Sequence, residues 1–299
     1  MSDHTVDWQE LIVEASDRLH RMFSDTATRE AQWIAEEASG LALAQGGADR
    51  ALLATVGAVG RFDALLARRM AGEPLQYVLG HWPFRRLDLL VDPRVLIPRP
   101  ETEALVDDVL AALDEARKRL SGVEPVIMID LGTGSGAIGL SVAEERRGTR
   151  VILTDVSEGA LSVARANLAG LGRHGTTVEV VAGSWYSALG EELRGHVDVI
   201  ASNPPYVGRG DEVAEDVVNW EPSSALFSGE DGLDDVRLIV AGAADWLRPG
   251  GVLVLEIGAE QAALASALCD QAGLGPTIVN NDLSGRPRVL RTCRADGSR

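Results

Sequence analysis

Two stretches of this chain combine residue types that do chemistry with a spacing that lets them act together. The first is Asn203-Pro204-Pro205-Tyr206. A side-chain amide, a rigid corner and an aromatic ring in succession form a small device for holding a planar amide or amine. The nitrogen of such a group is a weak nucleophile because its lone pair is delocalised. The Asn203 side-chain oxygen and the Pro204 carbonyl are two acceptors for its two N–H groups. Bonding both would aim the lone pair, with Tyr206 packed against the planar group. Catalysis by such a device is mostly proximity and orientation.

The second stretch is Asp130-Leu131-Gly132-Thr133-Gly134-Ser135-Gly136. Glycines let a backbone pass close to a ligand at a helix N-terminus. Gly132, Gly134 and Ala137 fit the Gly-x-Gly-x-x-Ala pattern of dinucleotide-binding loops. Asp155 follows Gly136 by 19 residues, a position from which a carboxylate bonds ribose hydroxyls. Loop and acid together imply an adenosine-containing cofactor without choosing one. Asp130 would repel a pyrophosphate but attract a cationic sulfonium or an ammonium group, which turns the choice away from NAD.

These residues need strand ends to hold them. Val197 to Ser202 is a β-branched apolar run that reads as a buried strand, and two prolines cannot extend it, so Asn203 stands at its tip. Pro125 to Ile129, Arg150 to Thr154, Thr177 to Val181 and Val252 to Ile257 read as further strands. Thr277 to Asn280 and Val289 to Cys293 complete seven. Helices are predicted at Ala104 to Leu120, Ala137 to Arg147, Ser157 to Leu171, Asp234 to Leu247 and Glu260 to Ala272. From Gly122 onward strand and helix alternate, which with right-handed crossovers gives a doubly wound, mainly parallel α/β sheet. Ligands bind at the carboxyl edge of such sheets. Before it, helical spacing from Trp8, at Thr28 to Ser39, Asp49 to Val59 and Phe62 to Ala71 predicts a compact bundle. The expected organisation is a helical domain over 1–75, a hairpin or linker over 76–98, and a catalytic domain over 99–299.

Composition narrows the functions. With 299 residues and a formal charge of −17, polyanion binding has no general electrostatic support, so nucleic acid is not the expected partner. Two cysteines, Cys269 and Cys293, are too few for a disulfide framework or a structural zinc site. Five scattered histidines, His4, His20, His81, His174 and His196, have no ligand spacing, so no metal is expected. Residues Met1 to Trp8 hold acids and no apolar signal core, and no acid-free run reaches membrane-spanning length. A soluble, cytoplasmic protein is expected.

The glycine loop combined with the tetrapeptide resembles the class I S-adenosylmethionine-dependent methyltransferases that act on planar sp² nitrogen. Gly72-Glu73-Pro74-Leu75-Gln76-Tyr77-Val78-Leu79-Gly80, Val95 to Glu103 and Gly229-Glu230-Asp231-Gly232-Leu233-Asp234 resemble the release factor glutamine methyltransferases (PrmC/HemK), nearly throughout from Arg68 onward. A sister family that methylates a ribosomal protein typically has Pro-Arg-Ser-Pro where this chain has Pro98-Arg99-Pro100-Glu101. Adenine-N6 DNA methyltransferases share the tetrapeptide but carry a target-recognition domain. A cofactor-binding regulatory protein with a degenerate site is the non-enzymatic alternative.

The resemblance implies a Rossmann-like fold and methylation of the glutamine amide in the Gly-Gly-Gln tripeptide of class I peptide chain release factors. It implies S-adenosyl-L-methionine as cofactor, leaving S-adenosyl-L-homocysteine as product. By position it implies Asp130, Gly132, Thr133, Gly134, Ser135, Gly136, Asp155, Trp185 and Asn203 as cofactor contacts, Trp185 covering the adenine. Asn203, Pro204, Pro205 and Tyr206 become substrate contacts, with Asn203, Pro204 and Tyr206 catalytic.

Overall fold

The computed structural model describes residues 6–23, 25–44, 46–120, 124–282 and 284–296. Gly122 and His4 lie outside them. The chain divides into two compact units, Met1–His81 with Glu215–Trp220, and Trp82–Ala214 with Glu221–Arg299.

The first unit is built on α1 (Trp8–His20), α2 (Ala27–Ser39), α3 (Val56–Met70) and the short α4 (Leu75–Leu79). Asp7 and Glu10 form a capping box that starts α1, with the Glu10 amide donating to Asp7 Oδ1 at 2.8 Å. Gly40, at φ 70°, ends α2. Trp8, Ile12, Ile34, Phe62 and Leu66 share its core, and Trp8 meets Phe62 edge to face at 6.0 Å. The predicted helix from Asp49 to Val59 does not form. A 3-10 turn covers Ala48–Ala51, the chain then runs extended, and α3 starts at Val56 under a Thr55 cap. Backbone pairing overrides the apolar spacing there. The Trp8 amide donates to the Leu52 carbonyl at 3.3 Å and the Ala54 amide to the Val6 carbonyl at 2.9 Å. The Gly72 to Gly80 motif has a local structural explanation. Arg68 forks onto Glu73 (Nε to Oε2, 2.9 Å) and donates to the Tyr77 and Val78 carbonyls at 2.8 and 3.2 Å, fastening α4 to the end of α3.

A two-stranded sheet comes next, β1 (His81–Phe84) and β2 (Leu87–Leu90), and the second unit begins at Trp82 within β1. There follow α5 (Thr102–Arg119), β3 (Val126–Leu131), α6 (Ala137–Glu145), β4 (Thr149–Asp155), α7 (Glu158–Gly170), β5 (Val178–Ala182) and β6 (Val197–Ser202). After α8 (Glu215–Trp220), which belongs to the first unit, come α9 (Asp234–Trp246), β7 (Leu247–Glu256), α10 (Ala262–Gln271), β8 (Ile278–Asn281) and β9 (Pro287–Cys293). The sheet has seven strands in the order β5-β4-β3-β6-β7-β9-β8. β3 to β7 pair in parallel, and β9 is antiparallel to both neighbours. The doubly wound, mainly parallel sheet read from the alternation is therefore the observed one.

Continuous apolar runs make these strands because both faces of a parallel sheet are covered. Met128, Val151, Leu153, Val199 and Val254 bury one face with α5 and α6, while Ile129, Leu131, Ile152, Ile200 and Leu255 bury the other with α9 and α10. Each fully buried Leu or Ile contributes on the order of 1.5–3 kcal/mol. From β3 the chain steps to β4 and β5 on one side, then returns to β6 on the other. Such a switch point opens a crevice at the carboxyl ends of the strands.

Candidate active site

A cavity of about 270 Å³ occupies that crevice. Its lining includes Gly132, Thr133, Gly134 and Ser135 after β3, Asp155 at the tip of β4, Trp185 beyond β5, and Asn203 and Pro205 beyond β6. Arg99 and Thr102 complete one wall. Gly132 to Ser135, Asp155, Trp185, Asn203 and Pro205 of the sequence-predicted residues thus come together from four strand tips, whereas Asp130, Gly136, Pro204 and Tyr206 do not line the cavity.

The loop after β3 turns on Gly132, Gly134 and Gly136, at φ 68°, 56° and 88°. L side chains rarely adopt these angles, so glycine is required. At Gly132 a Cβ would also come within 3.3 Å of the Trp185 ring. The Gly134 amide donates to Asp155 Oδ2 at 2.9 Å, and the Ser157 amide donates to Oδ1 at 2.9 Å. Asp155 therefore locks the tips of β3 and β4 together, and each carboxylate oxygen keeps a lone pair for a further donor. Trp185 sits at φ 48°, a conformation that non-glycine residues seldom hold and that clusters at functional sites.

Asp130 occupies a different place from the one expected. β3 runs on to Leu131, so the Asp130 side chain lies inside the fold, 0% exposed, and does not line the cavity. Its Oδ2 accepts from Thr133 Oγ1 at 2.6 Å and from the Gly139 amide at 3.0 Å. Burial raises its pKa to about 7 against the pull of those hydrogen bonds. Asp130 thus props the loop from beneath, and its Oδ1 is left without a partner.

At the end of β6, Asn203 Nδ2 donates to Thr102 Oγ1 at 3.3 Å, while Asn203 Oδ1 is buried without a partner. Pro204 and Tyr206 are not among the cavity-lining residues, and Pro204 is buried. The Tyr206 ring lies under the Arg288 guanidinium, 5.6 Å from its centroid, and the Tyr206 carbonyl accepts from Gln261 Nε2 at 2.9 Å. Burial, then the nearby Glu256, raise the pKa of its hydroxyl.

Several functional neighbours were not singled out by sequence. Thr102 donates to Glu256 Oε2 at 2.7 Å, and Glu256 is buried at the end of β7. The available signal was a single acid, Glu256, inside the otherwise apolar run Val252 to Ile257. Glu221, also buried, pairs with Arg99 Nη2 and accepts from the Ile97 amide at 3.1 Å, fixing the Arg99 side of the cavity. Gly139 lets α6 approach β4, since a Cβ there would lie 2.1 Å from Leu153 Cδ2. Among the described residues no group of three or more His, Cys, Asp or Glu is placed to hold a metal ion.

A glycine-turned loop, Asp155, Trp185 and Asn203 share one cavity at the carboxyl edge of a doubly wound, Rossmann-like sheet, and the fold is that of a methyltransferase. Residues 10–80 match the PrmC N-terminal domain and residues 109–222 the Methyltransferase small domain. The release factor glutamine methyltransferase of Xylella fastidiosa strain Temecula1 is 42% identical over 249 residues, 81% of this chain and 86% of that one. That of Bifidobacterium longum strain NCC 2705 is 36% identical over 294 residues, 94% and 97% of the two chains. Among solved structures, the hMettl16 catalytic domain in complex with MAT2A 3′UTR hairpin 6 shares the fold at TM-score 0.55 and 15% identity, over 79% of this chain and 84% of that one. The chain belongs to the release factor glutamine methyltransferase family.

The family's cofactor, S-adenosyl-L-methionine, fits the residues present. Gly132, Thr133, Gly134 and Ser135 line the cavity, with open space beside Gly134 for close backbone approach, while Gly136 does not line it; Asp155 keeps lone pairs for further donors, and Trp185 lines the same cavity.

Proposed function

We propose that this enzyme methylates the side-chain amide nitrogen of the glutamine in the Gly-Gly-Gln motif of class I peptide chain release factors. The observation that carries the reading is the unpartnered, buried Asn203 Oδ1 at the cavity. An acceptor kept dry there is stabilised by a donor such as a substrate N–H. Asn203 Oδ1 takes one amide hydrogen and the Pro204 carbonyl the other, which points the nitrogen lone pair into the cavity. Tyr206, braced by Arg288, packs beside the planar group. When bound, S-adenosyl-L-methionine supplies a methyl group on positively charged sulfur, so that forming the N–C bond breaks the C–S bond and returns its electron pair to sulfur. The nitrogen becomes acidic as the bond forms and its proton passes to solvent, so this chain need supply no strong base.

Gly132, Thr133, Gly134, Ser135 and Gly136 would hold the cofactor's amino-acid end, Asp155 its ribose and Trp185 its adenine. The helical first unit, with its own core and no residue in the cavity lining, serves to dock the release factor. A reducing cytoplasm suits the free Cys269 and Cys293, and among the described residues no helix is long and apolar enough to cross a membrane. The test is incubation of the purified chain with labelled S-adenosyl-L-methionine and either release factor, ribosomal protein or duplex DNA. Label confined to release factor is expected; label confined to either other substrate would contradict the reading.

A further inference from the structure

Two buried side chains, Glu256 and Thr102, connect the end of β7 to the partly buried Asn203 at the tip of β6. Glu256 is 1% exposed and Thr102 4%. Thr102 Oγ1 donates to Glu256 Oε2 at 2.7 Å, and Asn203 Nδ2 donates to Thr102 Oγ1 at 3.3 Å. An ionised carboxylate can only accept. It therefore takes the single proton of the Thr102 hydroxyl, which then has only lone pairs to offer Asn203. The Asn203 amide must turn its NH2 side to Thr102. The reversed amide would set carbonyl oxygen against hydroxyl lone pairs and lose the bond. Oδ1 is left facing away from Thr102, as the unpartnered acceptor.

We infer that Thr102 and Glu256 are positioning residues that fix the direction of the Asn203 amide, so that oxygen rather than nitrogen meets the N–H of the substrate amide. Both act through Asn203. The inference rests on the proposed function, because only a substrate that donates from nitrogen needs an acceptor there. The groups whose charges bear on Glu256 are Arg288 and Arg99, which favour its ionised form, and Glu101 and the Tyr206 hydroxyl, which do not. Burial outweighs them and raises the Glu256 pKa to about 7, so the orientation is enforced best above neutrality.

The test uses the full chain with Thr102→Val, Thr102→Ser, Glu256→Gln, Asn203→Ala and the Thr102→Val/Asn203→Ala double variant. Measured are kcat and KM for methyl transfer to purified release factor, calorimetric affinity for S-adenosyl-L-methionine, and the ¹⁵N-resolved side-chain amide signals of Asn203. Thr102→Val should lower kcat between about tenfold and a hundredfold, as for a misaligned orienting group, while leaving cofactor affinity within about twofold. Thr102→Ser, which keeps the hydroxyl, should retain most of kcat. Gln at 256 can present either a donor or an acceptor, so Glu256→Gln should lower kcat and flatten the fall that the wild type shows on acidification through about pH 7. In the Asn203→Ala background the Thr102→Val change should cost nothing more, because residues acting as one unit are not additive. The two Asn203 amide protons, distinct in the wild type, should move together in Thr102→Val.

A wild-type kcat in Thr102→Val, or the same fold-loss with and without Asn203, would overturn the inference while leaving the proposed function standing. A wild-type chain that binds cofactor but transfers methyl to no release factor would overturn the proposed function. Unchanged Asn203 amide signals in Thr102→Val would then overturn the inference independently.

Discussion

Asn203 concentrates the chemistry at the residue scale. Its Oδ1 is buried without a partner and its Nδ2 is tied to Thr102, and in the proposed reading Oδ1 is the acceptor for the substrate amide. Asn203→Ala should lower kcat by roughly a hundredfold or more, the range seen when one preorganised hydrogen bond to the reacting group is removed. Cofactor affinity should fall far less, and calorimetry beside single-turnover transfer separates the two. Trp185→Ala should act in the opposite way, weakening the affinity for S-adenosyl-L-methionine by roughly tenfold, since a stacked aromatic is worth about 1–3 kcal/mol per base. An unchanged dissociation constant would remove Trp185 from the adenine site. The positions of Asn203, the glycine loop and Asp155 at strand ends around one cavity were legible because glycines, prolines and a strand-tip acid have few other uses in that order. The sequence could not place Asp130, because one extra residue of strand separates a carboxylate at the cavity from one buried beneath its floor.

Among the elements, the packing of α6 on β4 decides where the loop sits. Gly139 has no room for a side chain, because a Cβ would lie 2.1 Å from Leu153 Cδ2 and 3.3 Å from the Asp130 Cβ. Gly139→Ala should cost about 1–3 kcal/mol of stability through overpacking. It should also weaken cofactor binding by shifting the loop that Asp130 supports; urea midpoints and calorimetry would read the two effects. The alternation of buried runs with helical spacing was enough to read all seven strands, because a parallel sheet buried on both faces leaves little freedom in its apolar pattern. The segment from Asp49 to Val59 was not readable. Its register depends on backbone bonds to Val6 and Trp8, which no local pattern records. Thr102 and Glu256 were likewise hidden, since 154 residues separate two side chains joined at 2.7 Å.

For the whole molecule, the site's buried acids oppose stability. Asp130 and Glu256 both have pKa values raised to about 7, chiefly by burial, from ordinary values of 3.8 and 4.5. A carboxyl whose folded pKa lies above its unfolded one binds its proton more tightly when folded. Their contribution is therefore full below about pH 4 and is lost as pH rises through about 7. Each unit by which the folded value exceeds the unfolded one is worth about 1.4 kcal/mol. The urea midpoint should thus be lower at about pH 8 than at about pH 6, and Glu256→Gln should shrink that difference; an equal difference in the variant would mean that Glu256 does not titrate in this window. The same ionisation orients Asn203, so turnover should rise over the range where stability falls. The switch-point crevice and its unpartnered amide oxygen support the proposed alignment of a planar nitrogen with a methyl donor. The most direct check is mass spectrometry of a purified class I release factor after incubation with this chain and S-adenosyl-L-methionine. A single added methyl group on the glutamine of Gly-Gly-Gln, formed roughly a hundredfold more slowly or worse with Asn203→Ala, is the predicted result. An unmodified glutamine, or a methyl group found elsewhere on the factor, would contradict it.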